Sequence, residues 1–588
     1  MRQNRKVLTV ALYGAAVLLL LLSSVLYLNG KSRVSDVTVS YNNQTRPITL
    51  PYLKGSENRV RTFQIAMHVS HGRFGSGRFH VVPDDCLDAL SVNGRSVDLS
   101  GIPRGRMCDY NNGFEIDLGG YLHPGENEVL SVLQDHSGKR GFDLRPVISE
   151  PIALFFKFSL IFLAMLASLH IMQRLQFPRV ITLLFGVGMA VRILYLYDTA
   201  WDQRSFDVVG HLRYIIYIAE HGWIPEPDFC WTCYHPPLYY MLAAAVYKIG
   251  ILMFSKEIVL KLLQAFSLVI SSGFLIFMLL ILKNFVKMRA ALIASSALLI
   301  FLPSMVIHSV RIGNDVLLYF TYAGALFFYL KWLQTGRGLV MSTLFAAAAV
   351  FAKSNGVVIL GVLGLSFLLR TVLAKDWRGQ FRTIAVMALI YGAIVVTAVG
   401  IHKIRSDKGV VGNAQSLNHA LFVPNTAVNY LYFDPRIALT EPFADAWHNG
   451  VGREYFWNYF MQTALFAQMM HPDHLRSLGQ SMSFLFLSLV LAATAALLFL
   501  RREELAEYAP FLLNGILMAA AAVYIRVLIP ASSSNDFRYS MPLLISLAVF
   551  FAYFLTRVRA KGWVVLEWGG YAVSALLVLM SLLFILQL

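Results

Sequence analysis

Apolar runs long enough to cross a bilayer recur along this chain, and they limit its fold more than any other feature. They lie at about 7–28, 152–172, 178–197, 236–254, 257–282, 288–308, 313–333, 339–353, 355–372, 381–401, 481–500, 507–529, 538–556 and 565–587. A hydrocarbon core of about 30 Å takes roughly 20 apolar residues. No water satisfies the backbone there, so each run is expected to be a helix. Composition agrees: 57% of the 588 residues are hydrophobic and only 14% are charged, where a soluble domain has about a quarter charged. The expected fold is a polytopic α-helical membrane protein with about 12–14 transmembrane helices.

The net charge of +16 would raise the question of nucleic acid in a soluble protein. Here Lys and Arg gather beside the apolar runs, at Arg174–Arg179, Lys283–Arg289, Lys331–Arg337, Arg370–Arg382, Arg501–Arg502 and Arg557–Lys561. That is the positive-inside pattern, which makes these loops cytoplasmic and membrane lipid the expected partner, not nucleic acid. Segments 198–235, 402–480 and 530–537 are then external. Strict alternation from 178 does not bring Lys283–Arg289 inside, because 236–254 and 257–282 form a complete pair. One segment must be short, broken or re-entrant.

The basic start Met1-Arg-Gln-Asn-Arg-Lys6 and the run at 7–28 read as an uncleaved anchor with its N-terminus inside. Residues 29–150 differ in kind. Val34-Ser-Asp-Val-Thr-Val-Ser40 and Phe63-Gln-Ile-Ala-Met-His-Val69 alternate apolar and polar side chains, as half-buried strands do. Frequent turn signals between them predict a β-sandwich outside the cytoplasm. Asn93-Gly94 between Leu90 and Val97 is a hairpin signal. Together with Leu122-His-Pro-Gly-Glu-Asn-Glu-Val-Leu130, it resembles galactose-binding-like jelly-roll domains. That resemblance implies either sugar contact or a spacer. All four cysteines fall in segments placed outside, where disulfides persist. Cys86–Cys108 is expected as one bridge. Cys230-Trp-Thr-Cys233 is either a second bridge or a redox or zinc site.

The external stretch 198–235 is polar and aromatic. It contains Thr199-Ala-Trp-Asp-Gln-Arg-Ser-Phe-Asp207-Val-Val-Gly-His211, and it runs into Tyr234-His-Pro-Pro-Leu-Tyr-Tyr240. Later come Arg311-Ile-Gly-Asn-Asp315, then Ala347-Ala-Ala-Val-Phe-Ala-Lys353-Ser-Asn-Gly356, then Asn535-Asp-Phe-Arg538-Tyr-Ser-Met-Pro542. In this order the motifs resemble the GT-C superfamily of membrane glycosyltransferases, in the branch of protein O-mannosyltransferases and aminoarabinose transferases. The resemblance covers roughly 178–560. It implies a sugar donor linked to polyprenyl phosphate and an acceptor on the outer face, with Asp207 as the loop aspartate and Asp315 as the second one. It also implies that the box residue at His235, often Lys in relatives, meets the lipid phosphate.

Residue chemistry points the same way. A carboxylate near the interface can take a proton from the acceptor, and Asp207 is the candidate. The alternatives are a helix N-cap or an ion pair with Arg204 or Arg213. Asp315 either positions the acceptor, holds a metal or orients Asp207, or it caps a helix together with Asn314. His235, Lys353, Arg538, Tyr234 and Arg311 are the candidates for the phosphate. An arginine offers a bidentate contact there, and a cation within an apolar run is functional by default. His211 shares a helix face with Asp207, which makes the two a candidate divalent-cation pair or His211 a hydrogen-bonded structural residue. No nucleotide-binding glycine loop is apparent.

The expected layout is an anchor at 1–28, a sandwich at 29–150 and a catalytic module at 151–401. An external loop or lid follows at 402–480, and C-terminal helices at 481–588. The expected activity is inverting transfer of a sugar from a polyprenyl-phosphate carrier, most simply at a bacterial inner membrane. A transporter or flippase, or a non-enzymatic glycan assembly factor, is the rival.

Overall fold

The computed structural model describes residues 2–30, 32–55, 62–84, 86–109, 113–134, 139–205, 207–405, 417–469 and 471–588. The chain forms two compact units, Met1–Ala167 and Ser168–Leu588.

In the first unit an apolar helix, Arg2–Asn29, packs along a second, Glu150–Arg174. Tyr13 donates to the Leu166 carbonyl at 3.0 Å, and the Tyr27 and Phe156 rings stack at 4.5 Å. Between these helices lie ten strands: β1 (Arg33–Tyr41), β2 (Gln44–Pro47), β3 (Tyr52–Gly55), β4 (Thr62–His71), β5 (Arg78–Pro83), β6 (Cys86–Val92), β7 (Arg95–Ser96), β8 (Phe114–Asp117), β9 (Gly125–Gln134) and β10 (Lys139–Pro146). One antiparallel sheet runs β2-β1-β4-β9-β6-β7 and the other β3-β10-β5-β8. The alternating residues Phe63, Ile65 and Met67 of the first sheet share one core with Phe79, Val81 and Phe142 of the second. Burial of that shared face holds the sandwich together.

Asn93 and Gly94 turn the β6–β7 hairpin at φ of 52° and 76°, the pair of positive angles such a turn requires. The two motif asparagines are then used locally. Asn93 Nδ2 donates to Asn127 Oδ1 at 2.8 Å, and Asn127 Nδ2 donates to the His123 carbonyl at 2.8 Å. Cys86 and Cys108 form a disulfide in this unit.

Among the described residues, eleven helices are long and apolar enough to cross a membrane, or twelve if a bent pair counts as one span. Those of the second unit include Arg179–Asp198, Lys256–Phe285, Asp315–Thr335, Ser354–Ala374, Trp377–Arg405, Asp473–Phe499, Leu505–Leu528, Leu543–Ala560 and Val564–Leu586. Two expected spans are not full ones. The runs at 236–254 and 339–353 form only the short helices Leu238–Ile251 and Leu339–Ala352. The run at 288–308 breaks at Pro303 into Arg289–Phe301 and Pro303–Val310, bent by 52°. Proline has no N–H for the preceding turn. A buried cation from another helix serves a carbonyl there: Arg192 donates to Ile300 O at 2.8 Å.

The short helix Leu238–Ile251 resolves the topological conflict. The next helix starts back at the end of Arg179–Asp198, where Lys261 Nζ donates to the Leu196 carbonyl at 2.7 Å, so Lys256–Phe285 makes the crossing alone. Lys283 therefore ends beside the first basic cluster, donating to the Leu175 carbonyl at 2.7 Å and lying 5.2 Å from the Phe177 ring centre. From there the helices reverse at each loop. The basic clusters of the second unit fall at one end of its helices, and segments 199–205, 230–240, 311–315, 353–356 and 530–542 at the other, with Asp207.

Of the external segment expected at 402–480, His402–Arg405 continue the preceding helix, and residues 406–416 lie outside the described residues. The part from 417 folds onto 529–537. Leu421, Ala444, Ala446 and Tyr459 form a small core with Ile529 and Ala531. Phe422 bridges Ala531, and the Phe537 N–H donates to Thr463 on the helix Phe456–Phe466 at 3.0 Å.

Candidate active site

Five stretches that are distant in sequence meet at the end of the helices away from the basic loops. Asp207 is the N-cap residue of the helix Val208–His221, in left-handed backbone at φ of 62°. Aspartate tolerates that conformation better than most residues. Its side chain makes no capping bond. The carboxylate reaches across the chain to Arg538 instead, at 3.4 Å, and keeps 34% of its surface exposed. Neither Arg204 nor Arg213 is its partner among the described contacts. Arg538 is buried between two acids. Its Nε lies 3.1 Å from Asp536, and Nη2 donates to Tyr539 Oη at 2.8 Å. The backbone is held as well, since Arg538 O accepts from Tyr319 Oη at 2.6 Å.

Asp315 opens its helix, but it does not act as a cap. Its carboxylate takes Lys353 Nζ at 2.5 Å, with the two side chains 16% and 10% exposed. Lys353 stands in extended backbone where Leu339–Ala352 ends, and its ammonium lies 4.7 Å from the Tyr539 ring centre. The next turn is tied to the same place, because Asn355 Nδ2 donates to Tyr539 O at 2.9 Å. Asn314, the other expected cap, donates to Ala352 O at 3.1 Å. Arg311 Nη1 pairs with His308 Nδ1 at 3.0 Å.

His211 is buried, and its Nδ1 bonds Tyr240 Oη at 2.8 Å. Gly313 packs against the other side of the ring, where an added Cβ would stand 3.2 Å from Nε2. Glycine lets the 311–315 turn approach this closely. Nδ1 is thus committed to Tyr240, and Asp207 is turned to Arg538. Among the described residues no group of three His, Cys, Asp or Glu is placed to hold a metal ion. His235 stacks near His211, with ring centres 6.3 Å apart, and beside Tyr234 at 4.1 Å.

Burial sets the protonation here. It pushes the His211 imidazole down to about 4, and it holds His235 well below the ordinary histidine range, helped by the charge of Lys353. Both rings are neutral at pH 7, so His235 offers a phosphate an N–H, not a positive charge. Burial raises the Asp207 carboxyl, but the opposing charges, that of Arg538 first, outweigh it and hold Asp207 below the usual carboxylate range.

One contributor was not apparent from sequence. Arg405 ends the helix Trp377–Arg405 and clamps the loop that carries the box. Nη2 donates to Cys233 O at 3.0 Å, Pro225 O at 3.2 Å and Tyr214 Oη at 3.3 Å, and Nη1 to His235 O at 3.5 Å. Cys230 and Cys233 close a disulfide in the same loop. Arg405→Ala is expected to cost about 1.5–3 kcal/mol, read as a lower melting temperature. Arg405→Lys should recover only part, because a point charge cannot serve four acceptors as a planar fork does.

No family model matches the chain, and no curated protein matches it either. Among solved structures it is similar to two crystal structures of ArnT from Cupriavidus metallidurans. One is bound to undecaprenyl phosphate and covers 65% of this chain and 79% of its own; the other is in the apo state and covers 65% and 78%. Each is 15% identical with a TM-score of 0.31. A likeness at that score carries no argument about the site. The helices themselves decide the class. The chain is a polytopic α-helical membrane protein with a sheet-rich N-terminal unit.

Proposed function

We propose that this protein is a glycosyltransferase that moves one sugar from a polyprenyl-phosphate carrier to an acceptor on the outer face of the membrane. The supporting observation is the convergence of Asp207, Asp315, His235, Lys353 and Arg538 at one end of the helices, opposite the basic loops. Cytoplasmic basic loops put that end outside, as at a bacterial inner membrane.

In the proposed reaction the acceptor hydroxyl gives its proton to Asp207, and its oxygen attacks the anomeric carbon. The bond from that carbon to phosphate oxygen breaks, and the lipid phosphate leaves with the electron pair. One displacement inverts the anomeric centre. Developing charge on the phosphate is met by Arg538 and Lys353, with N–H donation from His235 and the Tyr234 hydroxyl beside it. Asp315 holds Lys353 in place, and Arg311 adds to the local field. The helix Phe456–Phe466 packs beside Arg538, where the Phe537 N–H donates to Thr463. The sandwich is assigned a spacing role, because Asn93 and Asn127 bond each other and their turn.

The test is transfer of radiolabelled sugar from synthetic polyprenyl-phosphate donors by purified protein in lipid. Failure of any polyprenyl phosphate to bind would overturn the reading in favour of transport or glycan assembly.

A further inference from the structure

Arg538 has two unlike faces. Toward the interior, Nε lies 3.1 Å from Asp536, whose side chain is fully buried, and Asp536 Oδ1 also accepts the Arg538 backbone N–H at 2.9 Å. That side is built in and cannot exchange with solvent. Toward the opening, Nη2 is shared between Tyr539 at 2.8 Å and Asp207 at 3.4 Å. The Asp207 contact is the longest of these. It exceeds the 2.7–2.9 Å of a strong charge-assisted bond, and its carboxylate is a third exposed. Among the described residues Nη1 makes no hydrogen bond. The Nη1–Nη2 edge is therefore the free fork of a guanidinium whose back is anchored, and a fork of that shape fits two oxygens of a phosphate.

An ion-paired carboxylate is a poor base, since the neighbouring cation favours its charged form. In the resting site Asp207 faces Arg538 first, with His211 and Arg311 next. Tyr234, Lys353 and Tyr539 lie within electrostatic reach. His211 is neutral, so Arg538 is the one partner whose departure changes the carboxylate most.

We infer that the lipid phosphate takes the outer edge of Arg538 away from Asp207, so the base is released only when the donor is in place. This rests on the transferase reading. It gives the site an order: a bare acceptor meets a carboxylate engaged by arginine, whereas an acceptor arriving after the donor meets a free one. Asp536 is the positioning residue that keeps the guanidinium from following either partner.

The order has a measurable sign. If phosphate must displace Asp207 from Arg538, then removing the carboxylate strengthens phosphate binding while destroying transfer. Undecaprenyl phosphate is titrated into wild type and Asp207→Asn in nanodiscs. The variant is expected to bind about fivefold tighter, the worth of a partly exposed ion pair. Asp207→Ser should repeat the sign, with melting temperatures confirming that both variants are folded. In an Arg538→Gln background the gain from Asp207→Asn should vanish. Arg538→Lys, which keeps the charge and loses the fork, gives a second background in which the gain falls short. Equal or weaker binding by Asp207→Asn overturns the inference. So does a gain that persists without Arg538, since that is a general field effect. No binding by wild type is a different result, and it removes the transferase reading itself.

Discussion

Asp207→Asn lowers sugar transfer by about 10²–10⁴-fold, the usual worth of a positioned general base. The amide keeps the size of the carboxylate and can still face Arg538, so the fold around residue 207 should survive. What it cannot do is accept the acceptor's proton. Transfer is measured at saturating donor and acceptor, where the loss appears in kcat. The pH profile provides a second check. The charge of Arg538 overcomes the effect of burial and holds the Asp207 carboxyl below its ordinary range, so the base is ionised above that range and lost only as pH falls through it. In the free enzyme, the acid limb of kcat/KM should lie below the ordinary aspartate value of about 4. Burial keeps His211 and His235 neutral, so neither should add an inflection between pH 6 and about 8. Activity in Asp207→Asn equal to wild type would move the base elsewhere, with Asp315 next in line.

Lys353→Met is expected to destabilise the helical unit by about 3–5 kcal/mol, the cost of stranding the partner of a buried ion pair. Asp315 and Lys353 are 16% and 10% exposed and meet at 2.5 Å. The contact joins the start of Asp315–Thr335 to the break after Leu339–Ala352. With the ammonium gone, the Asp315 carboxylate must ionise unpaired in a nearly dry place or take up a proton. Asp315→Asn combined with Lys353→Met should recover most of the loss, because neither charge then remains. Melting of the purified protein, followed by tryptophan fluorescence, measures both. Equal loss in the single and double variants would mean that packing, not charge, holds this junction.

The membrane helices were legible in sequence because a bilayer demands unbroken apolar length. The sandwich was legible from the alternation at 34–40 and 63–69. Span length was harder to read. The run at 236–254 is apolar enough to pass for a crossing, yet its helix covers only Leu238–Ile251, behind two prolines. Composition reports apolarity but not the depth a helix reaches. The candidate site's residue types could be named one by one, but their pairings could not. Asp207 has Arg204 and Arg213 nearby in sequence, and it pairs with Arg538, 331 positions away. Asp536, two residues before Arg538, reads as an ordinary local acid until its burial is known. Arg405 ends a span, where a basic residue looks like a topological marker, and only its four acceptors show otherwise.

The separation of Asp207 from Arg538 also carries a consequence for biosynthesis. At about 5–20 residues per second, a ribosome needs on the order of 20–60 s to make the intervening 331 residues. For that time Asp207 is a loop carboxylate in a half-inserted protein without the arginine it pairs with. Its partner arrives only after six more long helices, Lys256–Phe285 to Leu505–Leu528, have been synthesised. Until residue 538 is made the nascent chain lacks the Asp207–Arg538 pair, and a truncation just before residue 536 leaves a membrane protein of nearly full size without it.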